Sequence, residues 1–114
     1  MEFDISKLSK EDKDKVIKEL IFLEDHIGCD FNDVLLYDEI TLVDSDVQII
    51  GKNNNVLKIE KNGITYIKFN EKKFPVLDSP INLRIVGKAN INDWQGTKTS
   101  QIIIEEYEIV EYSL

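Results

Sequence analysis

The chain has 114 residues, a formal charge of −8 and 42% hydrophobic residues, the size of one domain with at most an appendage. Its one cysteine, Cys29, excludes an internal disulfide and fits a reduced, cytoplasmic setting. No apolar run approaches the length of a bilayer-crossing helix, and residues 1–10 lack the apolar centre of a secretion signal.

The acid is unevenly spread. Residues 1–42 carry five Lys against twelve Asp plus Glu, residues 43–104 carry nine Lys or Arg against six acids, and residues 105–114 carry four acids and no base. The ends are therefore strongly acidic and the middle mildly basic, and local field matters more for binding than total charge.

Ser9 is a good helix N-cap, and Asp12 three residues on completes a capping-box spacing. Val16, Ile17, Leu20, Ile21 and Leu23 recur at helical spacing, and Gly28 is a suitable stop. Lys13, Asp14, Lys18 and Glu19 are read as the solvated face. His26, beside Asp25 and near Cys29, invites a metal or nucleophile reading. A zinc site needs three or four ligands and no second His or Cys is present, so a helix-terminal histidine near the negative end of the dipole is the plainer reading. Residues 29–33 read as a short loop and 34–43 as an extended segment.

Strands then follow quickly. Val47, Ile49 and Ile50 belong to the first, and Gly51-Lys52-Asn53-Asn54-Asn55 is a polar breaker. Residues 56–60 and 64–70 form the second and third, joined at Asn62-Gly63, a hairpin signal. Residues 72–80, with Phe74, Pro75 and Pro80, are a connection with room for a helical turn. Residues 81–109 read as two long strands around one polar turn. Ile81, Leu83 and Ile85 alternate with Asn82, Arg84 and Val86, and Asn92-Asp93-Trp94-Gln95-Gly96 carries the only tryptophan. Turn chemistry accounts for Asn, Asp and Gly there but not for a large indole.

The run I-V-G-K-A-N-I-N-D-W-Q-G-T-K-T-S-Q-I-I-I-E-E resembles the last hairpin of the OB-fold domain of RecJ-type single-strand-specific DNA exonucleases. That family shows an Asn-acidic-Trp-x-Gly turn, then a Gln and an apolar strand, matched here by Asn92, Asp93, Trp94, Gly96, Gln101 and residues 102–104. V-Q-I-I-G-K, V-L-K-I and I-T-Y-I-K-F-N fit the same domain in order, so the resemblance covers 43–109. The lead-in departs from the family's Gly- and Pro-rich pattern, keeping one glycine and no proline. An SH3-like barrel also has five short strands. The long last hairpin and the resemblance favour a mainly β chain: a five-stranded OB-fold barrel preceded by one N-terminal amphipathic α-helix. Residues 1–42 would be the helix and a lead-in packing on the barrel, and 43–114 the OB domain.

In OB folds the ligand surface is the outer face of strands two and three with the loops after strands one and four. With Leu57, Ile59, Ile67 and Phe69 inside, Lys58, Tyr66 and Lys68 face out together, which needs a three-residue loop at Lys61-Asn62-Gly63. A strict two-residue Asn-Gly turn puts Leu57 and Lys68 on one face instead, a poorer apolar match. The candidate nucleic-acid contacts are Lys52, Lys58, Tyr66, Lys68, Arg84, Lys88, Asn92, Trp94 and Lys98. Tyr66 has a second reading as a cover for the helix, and Trp94 as a clasp folded back on its hairpin.

No catalytic constellation is visible. RecJ-type nucleases cut with metal held in an Asp-His-His domain, and one histidine cannot supply that site. Glu105, Glu106, Glu108 and Glu111 read as a solvated run. The resemblance thus implies a non-catalytic module that holds single-stranded DNA. No cofactor is expected in this chain, and divalent metal only in nuclease domains elsewhere. The alternative is a protein-docking module using the acidic helix and tail, with the nuclease domains of the same enzyme as a candidate partner.

Overall fold

The computed structural model describes residues 2–28 and 34–111; the loop expected at 29–33, with Cys29, lies outside them. Helix α1 spans Lys10–Ile27. It starts where expected: the Ser9 side chain accepts a hydrogen bond from the Asp12 amide at 3.1 Å. It stops at Gly28, whose φ of +75° favours glycine. Ile17 is fully buried, with Val16 and Leu20 packed against the core. Lys13 departs from expectation, being only 6% exposed although it belongs to the stretch read as solvated.

The strands are β1 (Glu2–Asp4), β2 (Leu35–Leu42), β3 (Val47–Ile50), β4 (Val56–Lys61), β5 (Ile64–Phe69), β6 (Ile81–Trp94) and β7 (Thr97–Glu111). They form one sheet in the order β1-β2-β6-β7-β5-β4-β3. The short β1, parallel to β2, had no sequence signal. β2, within the expected lead-in, pairs with β6 from Leu36 to Leu42 and is itself a strand of the sheet. No helical turn forms in residues 70–80; Phe74 and Leu77 from that stretch pack on the core instead.

β2 and β3 lie five strand spacings apart in this order, roughly 24 Å if the sheet were flat. Five peptide units from Leu42 to Val47 reach at most about 18 Å. The sheet must therefore curl, with β2 and β3 acting as the two halves of one kinked first strand. Asp44–Asp46 make a 3-10 turn at the kink. The Asp46 carboxylate accepts from the Val43 amide at 2.9 Å and the Lys61 ammonium at 3.4 Å, while Asp44 accepts from the Leu77 amide at 3.1 Å. Counted this way, the OB-fold has five strands: the β2/β3 strand, β4, β5, β6 and β7, with β5 and β7 parallel. The hydrogen-bonded sheet itself stays open, with β1 and β3 at its edges.

Alternation sends Leu36, Ile40, Leu57, Ile59, Leu83, Ile85 and Ile102 into one core. Helix α1 and Ile5 join the same core.

One expected register is overturned. β4 and β5 meet at a two-residue turn, with Asn62 and Gly63 at φ +55° and +79° and Lys61 paired to Ile64. Two positive φ values are the signature of the tight hairpin turn that matches strand twist. Leu57 therefore pairs with Lys68, Ile59 with Tyr66 and Lys58 with Ile67. The extra residue needed for a three-residue loop is absent, so every side chain of β5 takes the opposite face from the one expected.

Candidate nucleic-acid interface

The outer side of β4 and β5 forms an open groove of about 690 Å³. Val56 and Lys58 come from β4, Thr65, Ile67 and Phe69 from β5, and Ile50 and Gly51 from the margin of β3. The hairpin β6–β7 supplies Asn92, Thr99 and Gln101. The floor is apolar at Ile67, and Phe69 stands 54% exposed beside it. Amides and hydroxyls rim the hairpin side, where Gln101 donates to Asn90 at 3.2 Å. A planar apolar ring beside polar donors suits a ligand with flat faces and hydrogen-bonding edges.

The hairpin turn is narrower than the sequence suggested. Only Gln95 and Gly96 turn, at φ +51° and +83°, and Asn92, Asp93 and Trp94 stay in the strand. Trp94 is 70% exposed, which rules out a clasp folded onto its own hairpin. Strand alternation places it on the same side of β6 as Asn92 and Asn90.

Of the candidate contacts, Lys58 and Asn92 line the groove and Lys52 sits exposed in the turn at its margin, next to Gly51. The Lys58 ammonium lies 2.9 Å from Glu60, so its charge is partly compensated. Lys98 is exposed near the hairpin tip, across from Asp93. Arg84 lies elsewhere, within 3.9 Å of Glu39 and 3.8 Å of Glu108. Lys88 pairs with Glu105 at 3.3 Å, beside Leu20 and Glu24 of α1 rather than the groove.

Tyr66 and Lys68 are corrections. Both take the inner parity of β5, and Tyr66 is only 1% exposed. Its hydroxyl donates to Asp38 at 2.7 Å. Asp38, itself fully buried, also accepts from the Lys13 ammonium at 2.8 Å and the Glu39 amide at 2.8 Å. Burial, then the Asp38 charge, pushes the Tyr66 phenol well above its ordinary range. Phe69, expected inside, is the aromatic that reaches the groove. The Asn-Gly turn, taken strictly, is the sequence signal that identifies it.

His26 stacks on Phe22 with ring centroids 4.0 Å apart and sits 3.0 Å from the Phe22 carbonyl. Among the described residues no three His, Cys, Asp or Glu side chains gather into a metal-binding group. No helix among them is long and apolar enough to cross a membrane.

Among solved structures the chain is similar to RecJ in complex with Mg2+ from Thermus thermophilus, with 16% identity, a TM-score of 0.49, and coverage of 88% of this chain and 15% of that one. It is also similar to RecJ in complex with Mn2+ from the same organism, with 12% identity, a TM-score of 0.45, and coverage of 66% of this chain and 10% of that one. The chain thus spans only a small part of the length of either RecJ chain. No curated protein matches it. The family model described as the RecJ OB domain matches residues 7–106, nearly the whole chain and every main strand of the barrel, and the chain belongs to that family.

Proposed function

We propose that the chain is the single-stranded-DNA-binding OB module of a RecJ-like single-strand-specific exonuclease, cytoplasmic and not catalytic by itself. Divalent metal and bond cleavage then belong to nuclease domains outside this chain. The observation that carries the reading is the open groove on the outer face of β4 and β5, where an OB fold takes oligonucleotides. Phe69 and Trp94 offer rings for base stacking, Lys52 and Lys58 offer charge to phosphates, and Asn92, Thr99 and Gln101 offer hydrogen bonds. Arg84 and Lys88 lie away from the groove and are left out of this site. Stacking is tolerant of sequence, so the module grips a strand without reading it.

Trp94 is the only indole and so reports on its own surroundings. Oligo-dT titrated at low salt should quench its fluorescence saturably. Stacking contributes about 1–3 kcal/mol per base, so Phe69→Ala and Trp94→Ala should each weaken binding roughly 5- to 150-fold, Trp94→Ala being followed by labelled oligonucleotide. No saturable binding, or parent affinity in the double variant, overturns the assignment.

A second reading rests on α1, where Phe22 and Ile27 stand exposed among Glu19, Glu24 and Asp25. That surface suits docking on a basic protein, the nuclease domains of the same enzyme being the candidate. Salt-sensitive binding to those domains that is lost in Phe22→Ser, with no oligo-dT binding, would favour it over the first.

A further inference from the structure

β5 and β7, the two strands beneath the groove, pair only from Thr65 to Ile67 against Gln101 to Ile103. So short a parallel ladder holds two strands weakly. Directly behind it, on the inner face, lie Tyr66 and Ser100, both almost fully buried. Each sits between two groove-lining residues: Tyr66 between Thr65 and Ile67, Ser100 between Thr99 and Gln101.

Consecutive residues of α1 hold these two points. Lys13 reaches Asp38 at 2.8 Å, and the other Asp38 oxygen accepts the Tyr66 hydroxyl at 2.7 Å. The Asp14 carboxylate accepts the Ser100 hydroxyl at 2.6 Å and pairs with Lys18 at 3.1 Å, and the Asp14 main-chain carbonyl is a longer second acceptor for that hydroxyl at 3.4 Å. The Lys13–Asp38–Tyr66 chain is buried and satisfied, and such a network specifies geometry in a way that apolar packing does not; Asp14 is part-exposed and holds the buried Ser100 from the helix surface. Successive strand residues point to opposite faces, so a shift of Tyr66 or Ser100 carries its groove-lining neighbours with it.

We infer that Asp14 is a positioning residue for single-stranded DNA, holding β7 through Ser100 at the separation from the Lys13-anchored β5 that shapes the groove. The inference rests on the reading of that groove as the single-strand site. By linkage, a bound strand steadies the first turns of α1 to the same degree that α1 favours the bound strand.

The test compares the full chain with Asp14→Ala, Asp14→Asn, Ser100→Ala and a control, Ile81→Val, in a core position at the far end of the sheet beside Leu42. Asp14→Ala and Ser100→Ala should weaken oligo-dT binding about 5-fold or more. Asp14→Asn keeps an oxygen that accepts the Ser100 hydroxyl and should stay within about 2-fold of the parent. Ile81→Val should lower the melting temperature and leave affinity unchanged. Parent affinity in Asp14→Ala and Ser100→Ala, or an equal loss in Asp14→Asn or Ile81→Val, overturns the positioning role. Amide exchange without DNA gives a second readout. Thr65, Ile67, Thr99 and Gln101 should exchange faster in Asp14→Ala and Ser100→Ala but not in Ile81→Val, and unchanged exchange overturns the coupling itself. A parent that binds no oligo-dT overturns the single-strand reading, and with it the role toward DNA, while the exchange result still decides the coupling.

Discussion

Asp38 accepts three hydrogen bonds inside the core, and that arrangement makes its partners unequal. Tyr66→Phe leaves one carboxylate oxygen without its donor, which costs about 1–3 kcal/mol. Lys13→Met leaves a buried carboxylate without its counter-charge, which costs about 3–5 kcal/mol. Urea melts should rank the two in that order. The tyrosines also set an alkaline limit. Burial, then the bond to Glu71 at 3.0 Å, pushes the Tyr107 phenol up to about 12. A folded value raised above the unfolded one gives stability that is complete below the ordinary tyrosine value of about 10 and is lost as pH rises through the folded value. Tyr107→Phe should therefore flatten the loss of stability between about pH 10 and 12 in urea melts run across that range.

At the scale of elements, the hairpin β6–β7 bends at a register shift between Val86 and Gly87. A Cβ on Gly87 would lie 2.4 Å from the Ile103 carbonyl oxygen and 2.8 Å from an Ile102 methyl, so backbone itself would have to move. Gly87→Ala should destabilise by about 1–3 kcal/mol, read from the denaturation midpoint, because overpacking forces backbone shifts. The bulge lets one hairpin serve both ends of the molecule. Below it, Leu83 and Ile85 fill the core; above it, Asn92 and Thr99 reach the groove.

Across the whole molecule the charges are segregated. Glu39, Glu106 and Glu108 gather around Arg84 on the outer side of β2, β6 and β7, whereas Lys52, Lys58 and Lys61 stand at the groove against the carboxylate of Glu60. Lys52 and Lys58 on phosphates give a shallow salt dependence. The slope of log affinity for oligo-dT against log salt should be about −1.4, at about 0.7 per neutralised phosphate of a single strand. A slope several times steeper would place the contacts on a more basic surface than this groove.

Apart from β1 and the place of β2 in the sheet, the order of elements was legible in the residues because it depends on local chemistry. Ser9 and Gly28 bound the helix, period-two alternation marks the strands, and Asn62-Gly63 and Gln95-Gly96 sit at the turns. The hairpin around Trp94 pointed to the family for the same reason. The composition of the site depended instead on register, and one residue of loop length inverts a whole strand. Alternation along β5 is ambiguous, because Ile64 and Ile67 fall on opposite faces and both are buried. Tyr66 could go inward only because Asp38 and Lys13, 28 and 53 positions away in sequence, meet it there with a hydrogen bond and a compensating charge. Pattern reading sees neighbours along the chain. The strict Asn62-Gly63 turn alone points to Phe69 as the outward aromatic of β5, whereas the buried partners that receive Tyr66 exist only in the tertiary structure.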